Sequence, residues 1–329
     1  MPLSRAAGVR RGVDAALEVG LPLSFSRIGY EVRQRVEEWT PVSDLDGRGR
    51  TIVITGANSG LGLATAQILA RTGAEVIAVV RSEHKGRTAR EQIDAARLAP
   101  GRTDVEVADL EDLSSVRALA DRLAERECID AVIHNAGAMF PARAVTMDGL
   151  ERTYQVHVAA PFLLTHLLVE PLRASDDGRV LTVTSGGMYA QRLDVERVDS
   201  PDRYRPALAY ARAKRAQVAL SAEWARRVGP DIRFEAVHPG WADTPGVAAS
   251  LPRFRTLTTP ILRTPEQGAD TLAWLALAPL QGPSGRLWHD RRSRGLHRLP
   301  WTHAHPQEAT RLWDRLWRDL DLSAQASTG

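Results

Sequence analysis

Tyr210 and Lys214 stand four residues apart in a stretch of helical period, so both project from the same side of one helix. Tyrosine is a poor acid near neutrality, with an ordinary pKa of about 10, and an ammonium one turn away favours the phenolate. Such a pair can release and recover a proton at one spot, which is acid–base chemistry on an oxygen atom. Only two of the 43 basic residues are lysine, Lys85 and Lys214. The Ala-, Gly- and Arg-rich composition points to a GC-rich genome that pushes Lys towards Arg. Arginine keeps its proton and cannot replace a lysine of tuned pKa. A surface Tyr–Lys pair without a role is the blander alternative.

A second constellation suits phosphate. Thr55-Gly56-Ala57-Asn58-Ser59-Gly60-Leu61-Gly62 follows an apolar β-branched run and opens a helical one. Glycines there let the chain turn sharply and bring its N–H groups close to a pyrophosphate, with the helix dipole behind them. Strand before and helix after are the context that separates this loop from a plain tight turn.

The elements that must carry these residues alternate. Short β-branched runs at 51–55, 75–80, 104–107, 131–134, 180–184 and 233–237 are separated by helical-period stretches at 61–71, 88–98, 113–126, 150–172, 209–227 and 265–278. A last strand at 286–288 completes seven. This alternation predicts an α/β, doubly wound Rossmann fold, a seven-stranded parallel sheet with helices on both faces. The expected organisation is a helical extension at 1–49, the nucleotide-binding domain at 50–290 with a substrate loop at 241–263, and a helical extension at 291–329. Both extensions carry helical stripes, Ile28, Val32, Val36 and Trp39 in one and Leu312, Trp313, Leu316, Trp317 and Leu320 in the other. Packing on the protein body is the first reading of each stripe, and a membrane-surface or partner contact the second.

Composition narrows the classes. At 43% apolar and 25% charged, the 329-residue chain is an ordinary globular one. A formal charge of +3 spread over the whole chain argues against nucleic acid. The single cysteine, Cys128, excludes an intrachain disulfide or an all-cysteine metal site. No apolar run is long enough for a membrane span, and Asp14 and Glu18 interrupt any signal-peptide core, so a reducing cytoplasm is expected. His289, His297, His303 and His305 match no common zinc spacing and read as surface histidines, so no metal is expected. A homo-oligomer stays open.

The spacing Thr-Gly-x-x-x-Gly-x-Gly resembles that of the short-chain dehydrogenase/reductase family. Asp109-Leu110 after the third strand, His134-Asn135-Ala136-Gly137 after the fourth, Tyr210-x-x-x-Lys214, and Pro239-Gly240 with Thr244 match further family motifs. His134 replaces an asparagine. The strings Thr184–Met188, Tyr210–Gln217 and His238–Val247 resemble the subgroup called dehydrogenase/reductase family member 12. The resemblance implies a nicotinamide-dependent oxidoreductase in which Tyr210 is general acid/base, Lys214 lowers its pKa and binds the nicotinamide ribose, and Ser185 holds the substrate oxygen. It implies that Asp109 contacts adenine and that Pro239, Gly240 and Thr244 flank the nicotinamide. His157 takes the place of the family's asparagine, whose main-chain carbonyl holds a relay water. Pro161, four residues on, has no N–H to give, so the carbonyl of His157 is expected to be free whatever its side chain. A titrating His157 within the relay is a second reading, a plain buried histidine a third.

An NAD-selective member carries an acid at the end of the second strand. That position is Val80, followed by Arg81, whose fork suits a 2′-phosphate, so NADP(H) is expected. Met139, Phe140, Met188, Trp241, Leu251 and Phe254 could line an apolar pocket, with Gly186 and Gly187 leaving room for a bulky carbonyl compound. The leading expectation is an NADP(H)-dependent enzyme interconverting an apolar aldehyde or ketone and its alcohol. The competing one is a catalytically weak NADP(H)-binding sensor or scaffold, since fold does not fix function.

Overall fold

The computed structural model describes residues 2–199, 203–250 and 252–322. Its sheet comprises β1 (Thr51–Thr55), β2 (Glu75–Val80), β3 (Thr103–Val107), β4 (Ala131–His134), β5 (Gly178–Val183), β6 (Ile232–Val237), β7 (Leu287–His289) and β8 (Arg292–Arg294). The spatial order is β3-β2-β1-β4-β5-β6-β7-β8, parallel from β3 to β7, with β8 antiparallel at the edge. Strand order reverses between β1 and β4, so a crevice opens beyond their carboxyl ends, where such sheets bind ligands. The central strands read as almost continuous apolar runs because both of their faces are covered.

Fourteen α-helical segments are described: α1 (Pro2–Val19), α2 (Leu21–Phe25), α3 (Arg27–Val36), α4 (Gly60–Arg71), α5 (Glu83–Ala95), α6 (Leu113–Ala124), α7 (Arg152–Tyr154), α8 (Ala160–Leu167), α9 (Val169–Arg173), α10 (Pro206–Val228), α11 (Pro245–Ser250), α12 (Pro252–Thr258), α13 (Pro265–Leu277) and α14 (Glu308–Asp319). Alternate side chains of each strand point to opposite faces. Ile52, Ile54, Val76 and Ala78 pack under α4, α5 and α13, while Val53, Ile77, Val79 and Val132 pack under α6, α8 and α10. Among the described residues no helix is long and apolar enough to cross a membrane.

Three features differ from the expected architecture. The sheet has eight strands rather than seven. The chain reverses into β8 through Asp290 and Arg291, both non-glycine residues at positive φ (52° and 54°), so no Asn-Gly or Asp-Gly signal announces the hairpin. The stretch at 150–172 is broken by a π-helical turn, Gln155–Ala159, that joins α7 to α8. Pro161 supplies the reason, because it cannot donate to the carbonyl of His157 and the helix must relax around that gap. In α3 the buried residues are Gly29, Tyr30 and Arg33, whereas Ile28 is exposed and Val32 and Val36 are only half-buried. Tyr30 and Arg33, not the apolar stripe, face the body of the protein.

The C-terminal stripe does face inward. Leu312, Trp313 and Leu316 of α14 are buried, and the Trp313 ring lies 4.5 Å from that of Trp224 and 4.8 Å from Phe162. Replacing Trp313 by alanine removes a large buried ring and leaves a cavity between α8, α10 and α14. The expected loss is about 3–5 kcal/mol of folding stability, measured by urea unfolding. A change below about 1 kcal/mol would show that α14 is dispensable to the fold.

Candidate active site

The glycine loop sits where β1 ends. Gly56 and Gly60 have positive φ (69° and 55°), which the tight turn requires. A Cβ at Gly62 would lie 2.3 Å from the Gly56 carbonyl oxygen and 2.4 Å from Asn135 Nδ2, so helix and loop approach as only glycine allows. Ser59 caps α4 without a side-chain bond, which leaves the first helical N–H groups to an anion. Asn135 serves as a brace. Its Nδ2 donates to Thr55 O at 2.9 Å, and the N–H groups of Asn135 and Ala136 donate to Thr55 Oγ1 at 3.1 and 3.0 Å. Thr244 closes over the loop, since a Cβ on Gly60 would meet its Cβ at 3.3 Å. Asn58 and Leu61 are half-buried within this cradle.

Further along the crevice Val80 is buried and Arg81 is exposed, with Glu111 4.0 Å away as a loose partner. Asp109 is exposed past the end of β3 and turns the chain by accepting from the Glu111 N–H at 3.0 Å; Leu110 is buried beneath it. Gly137 is exposed beside His157 and Lys214, and a Cβ there would come 2.8 Å from His157 Nε2 and 3.6 Å from Lys214 Nζ. The residues present thus form a continuous cradle of backbone and small side chains that fits a dinucleotide.

Ser185 past β5 and Tyr210 and Lys214 on α10 converge at the same edge. Burial pushes the Tyr210 phenol up to about 12, while its hydrogen bond with Ser185 pulls the other way. Burial is the largest influence on this phenol and outweighs the pull of its neighbours. Lys214 is itself buried, and desolvation of its ammonium pulls it down to about 7. Its Nζ donates to Val183 O at 2.8 Å and lies 5.4 Å from the centre of the Tyr210 ring. An ammonium has three donors, so two remain for other partners.

His157 behaves differently from either active reading. Its carbonyl is not free, because Gln217 Nε2 donates to it at 2.7 Å. Nδ1 faces Thr153 O at 2.9 Å and therefore carries the proton, and Nε2 accepts from the Ala138 N–H at 3.2 Å. Burial pulls its pKa down to about 3. The ring stands perpendicular to that of Tyr210, with centres 5.3 Å apart. His157 is a neutral spacer that ties the π-turn to the loop after β4 and packs against the tyrosine. Gln217 was missed as a functional residue, although the proline that strands the carbonyl was a usable signal.

On the substrate side Met139 and Trp241 are half-buried near the crevice. Met188 is not a pocket residue. It is fully buried with Phe25, Tyr189 and Val218, and its sulfur faces Arg215 Nη1 at 3.6 Å. Gly186 leaves no spare room either, because a Cβ there would meet His238 Nε2 at 2.9 Å and the Phe25 ring at 3.3 Å. Phe140 is buried, with the Arg152 guanidinium 4.1 Å from its ring centre. Leu251 and the side chain of Phe254 lie outside the described residues. His289 is buried against His238 rather than on the surface. Among the described residues no group of His, Cys, Asp and Glu is placed to hold a metal.

The family model described as short chain dehydrogenase matches residues 50–253. The chain belongs to the short-chain dehydrogenase/reductase family. It is 36% identical over 297 residues to dehydrogenase/reductase SDR family member 12 of Bos taurus, covering 88% of this chain and 91% of that one. It is 31% identical to retinol dehydrogenase 11 of Mus musculus, covering 91% of this chain and 95% of that one. A crystal structure of an uncharacterised protein from Mycobacterium paratuberculosis superposes with a TM-score of 0.67 at 33% identity, over 85% of this chain and 97% of that one. The protein is an oxidoreductase acting on CH–OH groups, and its family uses nicotinamide cofactors.

Burial of neutral histidines makes stability depend on pH. His134, His157 and His289 have pKa values pulled down by desolvation to about 4, 3 and 4, whereas in the unfolded chain each titrates near the ordinary value of 6.5. Below that value the unfolded chain binds more protons than the folded one, so stability falls as pH drops. The expected slope is up to about 1.4 kcal/mol per pH unit for each histidine. Urea midpoints between pH 7.5 and 5 should show a steep decline, and a flat profile would refute the buried neutral assignment.

Proposed function

We propose that this protein is an NADP(H)-dependent carbonyl reductase and alcohol dehydrogenase acting on an apolar aldehyde or ketone. The observation that carries the reading is the convergence of Ser185, Tyr210 and Lys214 on the crevice that the glycine loop opens onto. When bound, the nicotinamide supplies or accepts hydride. Tyr210 gives its proton to the carbonyl oxygen in reduction and takes it back in oxidation. Ser185 donates to the same oxygen and stabilises its developing charge. Lys214 holds the nicotinamide ribose and, as a cation, favours the phenolate that reduction leaves behind.

The chain's other residues divide the cofactor between them. Thr55, Gly56, Asn58, Ser59, Gly60, Leu61 and Gly62 cradle the pyrophosphate, Asp109 and Leu110 flank the adenine, and Asn135, Ala136 and Gly137 form the floor. Pro239, Gly240 and Thr244 flank the nicotinamide. Exposed Arg81, held only loosely by Glu111, takes the 2′-phosphate in a bidentate grip. Met139 and Trp241 give the substrate side its apolar character, and the likeness to a protein named for retinol agrees with a lipophilic carbonyl. A single cysteine suits a reducing cytoplasm.

A phenol pushed up to about 12 is fully protonated at neutral pH, which is the form that reduction needs. Carbonyl reduction should therefore owe none of its pH dependence between 6 and 8 to Tyr210, and should decline as Lys214 loses its charge near 7. The assay is NADPH oxidation against a panel of aldehydes and ketones. Tyr210→Phe should lower kcat by roughly 100- to 10,000-fold with NADPH affinity retained. Arg81→Ala should weaken NADPH binding by about ten-fold or more and leave NADH unaffected. Tight NADPH binding with no turnover of any carbonyl would overturn the enzymatic reading, and equal affinity of the wild type for NADH and NADPH the cofactor assignment.

A further inference from the structure

The N-terminal extension precedes the segment matched by the family model, yet it reaches the substrate side of the crevice. Arg33 of α3 has no exposed side-chain surface. Its guanidinium bonds Asp14 at 2.7 Å, Glu18 at 2.7 Å and Asp290 at 2.6 Å. Asp290 is equally buried and is gripped from its other side by Arg263 at 2.6 and 2.9 Å. Burial alone would raise the carboxyl of Asp290, but Arg263, His289 and Arg33 hold it well below the usual carboxylate range.

Arg263 spends its remaining donors on backbone from two distant parts of the chain. Nε donates to Phe25 O at 3.0 Å and Ser26 O at 3.2 Å, Nη2 to Ser24 O at 3.0 Å, and Nη1 to Pro239 O at 3.4 Å. Gly240, at φ 76°, lies directly beneath the guanidinium, where a Cβ would come 2.3 Å from Nε. The Trp241 N–H donates to Phe25 O at 2.7 Å, the Arg263 N–H to Trp241 O at 2.8 Å, and the Asp243 N–H to Arg263 O at 2.9 Å. Both ends of the segment 241–263 are thereby tied to each other and to residues 24–26. The buried Phe25 ring fills the space between them, 4.3 Å from His238 and 6.0 Å from Trp241, and packs on Gly186 next to Ser185.

We propose that residues 14–36 are a positioning element of the active site. Through Arg33, Asp290 and Arg263 they place Phe25, and Phe25 and its neighbouring carbonyls set the position of Pro239, Gly240 and Trp241. The apolar substrate wall is thus built in part from outside the nucleotide-binding core, and Phe25 and Arg263 tune which carbonyl compounds fit. The kinetic consequence rests on the reductase reading above; the structural one does not.

The test uses the full chain with saturating NADPH and follows amide hydrogen exchange by mass spectrometry in wild type, Arg33→Gln and Phe25→Leu. Exchange in peptides spanning 239–248 and 259–264 should accelerate by about ten-fold in Arg33→Gln and about three-fold in Phe25→Leu, with β1 and α4 unchanged. With a carbonyl substrate that the wild type reduces, KM should rise about five-fold or more in both variants while kcat stays within about two-fold. If Arg33→Gln does not fold, Phe25→Leu decides alone, since it removes ring packing and leaves every charge in place. Unchanged exchange at 239–248 and 259–264 in a folded variant overturns the proposal, as does acceleration spread evenly over the chain. A wild type that reduces no carbonyl, with the local exchange change intact, refutes the reductase reading and leaves the positioning role standing.

Discussion

The site depends on an ammonium buried without a carboxylate partner among the described residues. Lys214 is 2% exposed and its Nζ meets the main-chain carbonyl of Val183. Three fully buried arginines are instead met by acids, Arg33 by Asp14, Arg179 by Asp177 and Arg263 by Asp290, while the buried Arg215 meets the Leu296 carbonyl and His297. Taking a cation out of water costs several kcal/mol when nothing opposite compensates it. Relief comes from the proton itself: burial alone brings Lys214 down to about 7, where its charge is easily lost and regained. An arginine could not escape in that way. The rarity of lysine in this sequence and the desolvation at 214 are therefore two expressions of one requirement.

Such a residue must be held by neighbours that do not move. Helix α10 presents Tyr210, Lys214 and Gln217 at spacings of four and three, which places them on one face. Each meets a different support. The Lys214 carbonyl accepts from Thr184 Oγ1 at 2.9 Å, Gln217 holds the His157 carbonyl, and the Tyr210 ring abuts the His157 imidazole. His157 in turn grips Ala138 just past the Asn135 brace. One helix face, one strand end and one π-turn thus lock the acid–base pair to the loop that floors the nucleotide crevice. A protonated imidazole would break this lock, because Nε2 has to accept, and the same burial that lowers its pKa keeps it neutral.

Much of this was legible in the sequence because it is local. A β-branched run followed by Thr55–Gly62 and a helical period encodes strand, turn and helix within one short window, and the Tyr210–Lys214 spacing needs one helical turn. What was not legible depends on partners far away in the chain. The third helix shows an apolar stripe at Ile28, Val32 and Val36, but the side chains it buries are Tyr30 and Arg33, and Asp290, a partner of Arg33, is 257 residues later. Met188 and Gly186 suggested a roomy pocket because nothing near them in sequence reveals that Phe25 fills that space. Pro161 announced a stranded carbonyl, whereas its rescue by Gln217 required knowing how α8 and α10 cross.

The buried charge network raises a question of economy, because ion pairs of this kind add little net stability over well-packed apolar groups. Its use here lies in discrimination. The Arg33 fork satisfies Asp14, Glu18 and Asp290 together in one register only, and any slip would strand a buried charge. That same register brings Phe25 O to 2.7 Å from the Trp241 N–H. The hairpin into β8 belongs to the same device, since Asp290 adopts its left-handed conformation at the point where both guanidiniums reach it. A strained turn and a desolvated acid are each unfavourable alone. Placed on one residue, they fix the end of the sheet, the N-terminal helices and the substrate-side wall relative to one another.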